Sequence, residues 1–316
     1  MDIAKIYQNR KIEVLAPSGK LDHVAAALEA GADAIYIGLK GFSARPDAWG
    51  FELNSAIAAA ELAHAAGKKL YVAVNAEFRS GAEKEILSTF EKLEKARVDS
   101  VIIGDFGLLN FYHQNNFHIP VHASTLLGTY NAESLRFLKD KYKVERVVVN
   151  TGLEIDEMAA LYFECPDVEL ELICHGGVCF NDNRRCRLPH YLYQDEYCVG
   201  CKQLYQIYPS ENEIGELVLQ KEASQISEKP LNKVLGRRLI WAPEVDLSAL
   251  VGFFIKLGIV SFKIEGRTRP QDYIVQSTCL YRQAVDQALA SPQFLDENLN
   301  QYYYLTHIAN LRSVQQ

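Results

Sequence analysis

Short apolar runs rich in Val, Ile and Leu alternate with amphipathic stretches along most of this chain. The runs have the length and residue types of buried strands, and the stretches between them repeat apolar residues at helical spacing. Gly31, Gly67 and Gly258 stand where three of the helices should end, as helix-capping glycines do. The predicted strands are Ile12–Ala16, Ala34–Leu39, Leu70–Asn75, Val101–Asp105, Val121–Thr125, Arg146–Asn150, Val168–His175 and Ser261–Glu265. The predicted helices include Leu21–Gly31, Asn54–Gly67, Lys84–Ala96, Asn131–Tyr142 and Leu247–Leu257.

Strands that alternate with helices indicate a parallel sheet, and eight such strands are the number that closes a barrel. The pattern therefore predicts an α/β fold, a (β/α)8 TIM-like barrel. An open, doubly wound sheet is the alternative. The absence of a G-x-G-x-x-G motif from the first crossover argues against it.

One connection is far longer than the others. The seventh predicted strand ends near His175, and the eighth begins only at Ser261. We predict a single barrel domain over residues 1–316, with residues 177–245 as a cysteine-rich, cluster-binding insertion after strand seven. Because the loops that follow barrel strands build the active site, this insertion should lie over the barrel mouth.

Four of the seven cysteines crowd into this insertion, with the spacing C-x6-C-x11-C-x2-C. Thiolates bind soft metals, so a set of four suits either zinc or an iron–sulfur cluster. The alternative is four unrelated structural cysteines. The other three, Cys165, Cys174 and Cys279, are not expected to be ligands. The predicted metal ligands are Cys179, Cys186, Cys198 and Cys201.

Alternation along the strands predicts which side chains point into the barrel, because one strand face meets the helices and the other faces inward. Near the carboxyl ends of the strands, the inward set is polar. Since buried polar groups are costly unless satisfied, a ring of them indicates a ligand site. The alternative is that they satisfy one another or bind water. The set comprises Tyr36, Asn75, His122, Ser124, Asn150, His175 and Glu265.

Three of these residues are candidate catalytic groups, namely His175, Glu265 and His122. His175 lies closest in sequence to the cysteines, and Glu265 at the end of strand eight could act as a general base. Arg267 could hold an anionic substrate group. An ion pair of Glu265 with Arg267 or Lys263 that closes the barrel is the structural alternative. Tyr36, Asn75, Ser124 and Asn150 are assigned to substrate binding.

Composition narrows the classes of function. The net charge of −7 is a poor match for nucleic acid, although a local basic patch is not excluded. The sequence has no apolar run long enough to predict a membrane span, and its first residues lack the apolar core of a signal peptide. We therefore expect a cytoplasmic protein, where clustered cysteines bind metal or do chemistry more often than they form disulfides.

Several motifs, in this order, resemble the collagenase-like "peptidase U" family over roughly residues 12 to 290. The last of them is the most specific. They are Glu13–Gly19, Gly31–Gly38, Phe42–Arg45, His122–Thr125, His175–Cys179, Arg185–Cys186 and Ser261–Arg267. Within the family, the chain length and Tyr281–Asp286 look most like the UbiU-type subunit of anaerobic ubiquinone biosynthesis.

This resemblance implies an enzyme that hydroxylates an aromatic ubiquinone precursor without oxygen. It implies a [4Fe–4S] cluster, prephenate as hydroxyl donor, and a heterodimer with a related barrel protein of the UbiV type. Arg45, Arg267 and His175 are then candidates to hold the donor's carboxylates. In the UbiU type the fourth cluster cysteine comes later in the chain. Here no cysteine stands there, so Cys201 would serve.

Other functions remain open. Relatives in the same family hydroxylate tRNA or ribosomal RNA bases, and the pair Cys198 and Cys201 is spaced like the paired cysteines of those members and of the UbiV type. A non-catalytic, cluster-binding partner is another possibility. Peptidase activity is the least favoured, because no Ser–His–Asp set is evident in the sequence.

Overall fold

The computed structural model describes residues 11–44, 50–150, 152–177 and 244–290 in full. It also describes the backbone of three short strands, Tyr205–Tyr208, Glu216–Leu219 and Leu239–Ile240, which form an antiparallel sheet.

Eight parallel strands in the described residues pair side by side and close into a barrel, because the seventh strand pairs with both the sixth and the eighth. The predicted (β/α)8 barrel is therefore confirmed. The barrel strands are β1 Glu13–Ser18, β2 Ala34–Gly38, β3 Lys69–Val74, β4 Ser100–Ile103, β5 Val121–Ala123, β6 Arg146–Val148, β7 Glu169–Gly177 and β8 Ile259–Ile264.

One helix follows each barrel strand in the described part of the chain. The helices are α1 Leu21–Glu29, α2 Leu53–Ala65, α3 Glu83–Lys95, α4 Phe106–Gln114, α5 Ala132–Tyr142, α6 Ile155–Glu164, α7 Val251–Lys256 and α8 Gln271–Ala290. The three predicted capping glycines all have positive φ, as left-handed helix ends require. A further short strand, Glu244–Asp246, lies beside β7.

Several strands end earlier than the apolar pattern predicts, because short polar side chains begin the next turn. Asp105 caps α4 by accepting from the backbone N–H of Leu108 at 2.9 Å. Ser124 in the same way begins the 3-10 turn Thr125–Leu127. The helix predicted to begin at Leu247 begins at Val251 instead, after a separate 3-10 turn.

The strands are packed as the alternation predicts. Leu70, Val72 and Val74 of β3 are buried, while Tyr71 and Ala73 belong to the core cluster inside the barrel. Burial of large apolar side chains contributes roughly 1.5–3 kcal/mol each. The interior cluster consists of Leu15, Ala34, Tyr36, Tyr71, Ala73 and Ile102.

The chain divides into two compact units. One comprises residues Met1–Gly176 and Val245–Leu299 and contains the barrel, and the other comprises Gly177–Glu244 and Asn300–Gln316 and contains the antiparallel sheet. In the described residues, no helix is both long enough and apolar enough to cross a bilayer.

Candidate functional site

Most of the predicted site residues that the structure describes lie at or just after the carboxyl ends of barrel strands, whereas His122 lies inside the barrel beside Tyr71. Tyr36, His122 and His175 belong to strands, whereas Asn75 and Glu265 each directly follow one. Because all eight strands are parallel, their carboxyl ends meet at the same rim, which we call the mouth. Arg45 and the four clustered cysteines lie outside the described residues.

Two of the polar residues at the mouth shape its loops. Oδ1 of Asn75 accepts a hydrogen bond from the backbone N–H of Ala44 at 3.0 Å. The hydroxyl of Ser124 accepts from the backbone N–H of Leu126 at 3.3 Å. These bonds explain part of the inward polar ring without a ligand.

The side-chain amide of Asn150 has a hydrogen-bond partner for its oxygen but none for its nitrogen among the described residues. Its Oδ1 accepts from the backbone N–H of Gly152 at 2.9 Å. Its Nδ2 is buried and has no hydrogen-bond partner among the described residues, although the side chain is only 2% exposed. A buried donor without a partner is costly, so Nδ2 is a candidate contact for a bound molecule or an ordered water.

His122 is buried inside the barrel and packs edge-on against Tyr71, with 4.7 Å between ring centres. Burial lowers the pKa of His122 well below its usual value, and the positive charges of Arg146 and Lys263 lower it further. The ring is therefore neutral at physiological pH. Its Nδ1 is buried without a partner in the described part of the chain.

Two cations contact one aromatic ring at the mouth. Nζ of Lys263 lies 4.4 Å from the ring centre of Tyr36, and Cζ of Arg267 lies 5.6 Å from it. The Tyr36 hydroxyl donates to the carbonyl of Ile264 at 2.9 Å, which fixes the ring between these side chains. Cation–π contacts of this kind are stronger when desolvated, and both cations are buried.

Gly38 allows the Arg267 side chain to reach this position. A Cβ atom on Gly38 would lie 2.3 Å from Nη1 of Arg267 and 2.8 Å from Oγ of Ser43. Nη1 of Arg267 also donates to that serine hydroxyl at 2.8 Å. The guanidinium is thus held between strand β2, the loop after it and the Tyr36 ring.

Beneath the mouth, the barrel interior holds a network of charges. Nη1 of Arg146 lies 2.6 Å from Glu13 and 3.3 Å from Glu171. Nζ of Lys263 lies 2.9 Å from the other carboxylate oxygen of Glu171. Hydroxyls complete the network, since Ser261 contacts both acids and Tyr71 donates to Glu13 at 2.7 Å.

The charges in this network shift one another's pKa values. Burial alone would raise the pKa of Glu171, but Lys263 and Arg146 outweigh burial and lower it. Burial lowers the pKa of Lys263, with Arg267 adding to the effect and Glu171 opposing it. The sequence-based list of site residues does not include Glu13, Arg146, Glu171 or Lys263. Alternation along β8 predicts that Lys263 points inward, and the same rule applied to β1, β6 and β7 would have placed the other three inward.

His175, near the end of β7, is enclosed by residues that the sequence-based list of site residues does not include. Its ring centre lies 5.5 Å from those of both Tyr273 and Tyr281, and its Nδ1 lies 3.6 Å from a carboxylate oxygen of Asp246. These three partners come from α8 and from the strand Glu244–Asp246, far from His175 in sequence.

The backbone of Glu265 joins the ends of β7 and β8. Its N–H donates to the carbonyl of His175 at 2.8 Å, and its carbonyl accepts from the Tyr273 hydroxyl at 3.3 Å. Gly176 passes so close that a Cβ there would lie 2.7 Å from the Glu265 carbonyl, and its φ is +97°. Glycine is therefore required at this position.

Within the described residues, no group of three or more His, Cys, Asp or Glu side chains could hold a metal ion. Cys165 and Cys174 are buried free thiols, and Cys279 is a partly buried one. The predicted ligands Cys179, Cys186, Cys198 and Cys201 are not among these residues, so the four-cysteine metal site stays a prediction.

The profile of peptidase family U32 matches residues 19–313. This chain belongs to that family. It is 28% identical to tRNA hydroxylation protein P of Haemophilus influenzae, over 92% of this chain and 70% of that protein. It is 28% identical to the 23S rRNA 5-hydroxycytidine C2501 synthase of Escherichia coli, over 88% of this chain and 40% of that protein.

Other relatives of the U32 chain carry different names. A protein of Porphyromonas gingivalis named collagenase is 26% identical, over 87% of this chain and 65% of its own length. The solved structure of a U32 peptidase superposes with a TM-score of 0.52 at 14% identity, over 83% of this chain and 96% of that one. At that identity, the superposition supports the fold alone.

Proposed function

We propose that this U32 chain hydroxylates an aromatic ring without molecular oxygen, with a dicarboxylate such as prephenate as the hydroxyl donor. The observation that carries the proposal is the chemistry of the mouth. Two buried cations lie against Tyr36, Asn150 follows the end of a barrel strand with its Nδ2 buried and without a described partner, and His122 inside the barrel has a buried Nδ1 without a described partner. The names of the relatives as hydroxylation proteins support the reaction class.

The cations would bind the carboxylates of the donor. Arg267 presents a planar guanidinium whose position is fixed by Ser43 and the Tyr36 ring, which suits two-point binding of a carboxylate. Lys263 lies beneath it and adds a second positive charge. Arg45 is a further candidate, on the evidence of the sequence alone.

Neutral groups would hold the aromatic acceptor. The pKa of His122 is lowered by burial, so its ring can accept or donate a hydrogen bond without adding charge. Nδ2 of Asn150 adds a donor. His175 and Glu265 are the proposed proton-transfer groups, because both lie at the mouth and an imidazole and a carboxylate are the side chains that most often act as general acids and bases.

We further propose that Cys179, Cys186, Cys198 and Cys201 hold a [4Fe–4S] cluster. The donor set fits, because four thiolates are what such a cluster requires. When bound, the cluster would supply one-electron chemistry that amino-acid side chains do not provide.

A quinone precursor is the proposed acceptor, in a heterodimer with a UbiV-type barrel protein. The motif resemblance to the UbiU type supports this choice. The net charge of −7 also favours a small molecule over a polyanion. An RNA base is the second candidate, because two of the relatives are named for tRNA hydroxylation and for a 5-hydroxycytidine in 23S rRNA.

A deletion strain grown without oxygen separates the two acceptors. We expect loss of a hydroxylated quinone with unchanged hydroxynucleosides in tRNA and ribosomal RNA, measured by mass spectrometry and restored by the parent gene but not by His175→Ala. The reverse pattern would replace the quinone with an RNA base. No change in either pool would contradict hydroxylation.

The cluster is tested by iron and sulfide content after anaerobic purification. We expect a brown protein with about four irons per chain, and loss of iron when any one of the four cysteines is replaced by Ser. Cys279→Ser is the matched control, because that thiol is partly buried and contacts only a backbone carbonyl, that of Ala30, in the described part of the chain. A colourless protein with one tightly bound zinc would overturn the redox proposal.

A further inference from the structure

The His175 imidazole is held on three sides, and its two nitrogens have different surroundings. Tyr273 and Tyr281 flank the ring, and Asp246 lies beside Nδ1. Nδ1 is buried, whereas the side chain as a whole is 17% exposed. The exposed edge of the ring is therefore not the Nδ1 edge.

Asp246 is 51% exposed, and its carboxylate is held by polar contacts. The carboxylate oxygen nearest to His175 accepts from the backbone N–H of Ser248 at 3.0 Å and lies 3.2 Å from the Tyr281 hydroxyl. Burial would raise the pKa of Asp246, but these hydrogen bonds and His175 outweigh burial and lower it. A carboxylate is thus present beside Nδ1 at neutral pH.

Tyr281 forms hydrogen bonds with the backbone next to both His175 and Asp246. Its hydroxyl donates to the carbonyl of Cys174, the residue before His175, and accepts from the backbone N–H of Leu247, the residue after Asp246. The ring is fully buried on α8. One side chain therefore sets the spacing between the imidazole and the carboxylate.

We propose that Asp246 and Tyr281 are positioning residues that keep the proton of neutral His175 on Nδ1. A carboxylate beside one imidazole nitrogen fixes the tautomer, and the other nitrogen then carries the free lone pair. Nε2 thus becomes the atom that exchanges protons with a molecule in the mouth. The Nδ1–O distance of 3.6 Å is longer than a hydrogen bond, and we expect it to shorten when the mouth is occupied. The role in turnover rests on the proposed hydroxylase function, whereas the tautomer does not.

Nitrogen-15 NMR of the histidine rings tests the tautomer directly. Full-length protein is labelled at its eight histidines, and His175→Gln identifies the signal. We expect the Nδ1–H form in the parent protein and in Asp140→Asn, a control that neutralises an exposed acid on α5. We expect a mixture of tautomers in Asp246→Ala. An Nε2–H form in the parent, or an unchanged spectrum in Asp246→Ala, would overturn the proposal.

A second variant, Tyr281→Phe, separates a change of tautomer from misfolding of the protein. Tyr281→Phe keeps the buried ring and removes only the hydroxyl, so it should retain the far-ultraviolet circular dichroism of the parent and still broaden the tautomer distribution. If Tyr281→Phe folds and leaves the His175 signal unchanged, Tyr281 has no positioning role.

Steady-state kinetics then test the role in turnover. In Asp246→Asn we expect kcat to fall roughly ten-fold or more while KM for the donor changes little, because the group acts on proton transfer rather than on binding. If kcat is unchanged in Asp246→Asn while the parent protein shows the Nδ1–H tautomer, the role in turnover is refuted and the assignment of the tautomer stands. A rise in KM alone would also refute that role. Absence of hydroxylation by the parent protein would refute the proposed function instead.

Discussion

Replacement of Arg146 by Met tests whether the charges inside the barrel stabilise the fold as a balanced set. Arg146 is buried, and its guanidinium contacts Glu13 at 2.6 Å, Glu171 at 3.3 Å and Glu169 at 2.7 Å. Methionine has similar length and can fill much of the same space, so the main change is the loss of one charge.

The expected magnitude follows from the charges that remain. Without Arg146, two buried carboxylates, Glu13 and Glu171, share the single cation Lys263 among the described residues of this network. One negative charge is then uncompensated in the interior. Removal of one partner from a buried ionic group costs about 3–5 kcal/mol. Loss of the desolvated cation–π contact with Tyr71 adds about 2 kcal/mol.

Urea unfolding followed by circular dichroism measures the effect at pH 7.5 and at pH 5. The loss in the free energy of unfolding should be smaller at pH 5, because an uncompensated carboxylate has a raised pKa in the folded state and can take up a proton there. Arg136→Met is the matched control, since that arginine pairs with Glu133 and Glu164 on the surface. A loss for Arg146→Met no larger than that of the control would refute the reasoning.

Three further changes test other parts of the structure. Gly38→Ala should displace the Arg267 guanidinium and raise KM for the donor without unfolding the barrel, as binding and circular dichroism would measure. Tyr281→Phe should lower the free energy of unfolding by about 1–3 kcal/mol, because the backbone N–H of Leu247 loses its acceptor; an unchanged urea midpoint would contradict this. Because the pKa of Glu171 is lowered in the folded state, its stabilisation is present above its ordinary pKa and lost as pH falls. Glu171→Gln should therefore be less stable at pH 7 and lose less on acidification; parallel pH curves would contradict this.

The barrel could be predicted from the sequence because a local signal repeats along it. Buried parallel strands are almost continuously apolar, and the helices between them show their own period and capping glycines. Strand ends were less predictable. Val101–Asp105 and Arg146–Asn150 continue the strand pattern, yet Asp105 and Asn150 bond to the backbone ahead of them and begin turns.

The candidate site could be predicted only in part. Alternation led to Tyr36, His122 and His175 as candidates, because each lies in a strand whose inward face the pattern defines; their roles stay predictions. The sequence pattern did not place Asp246 and Tyr281 in the candidate site. Their contacts with His175 depend on how a short strand and the last helix pack against β7. No local pattern in a sequence reports such a contact.

The charged interior and the mouth are not independent, because Lys263 belongs to both. Its ammonium group bonds to Glu171 below and lies against the Tyr36 ring above. An anion bound at Arg267 would add negative charge near Lys263 and offset the burial that lowers the pKa of that lysine. Occupation of the mouth should therefore strengthen the ion pairs in the barrel. Glu171→Gln removes the carboxylate that opposes the fall in the Lys263 pKa, so it should in turn weaken donor binding although Glu171 does not lie at the rim.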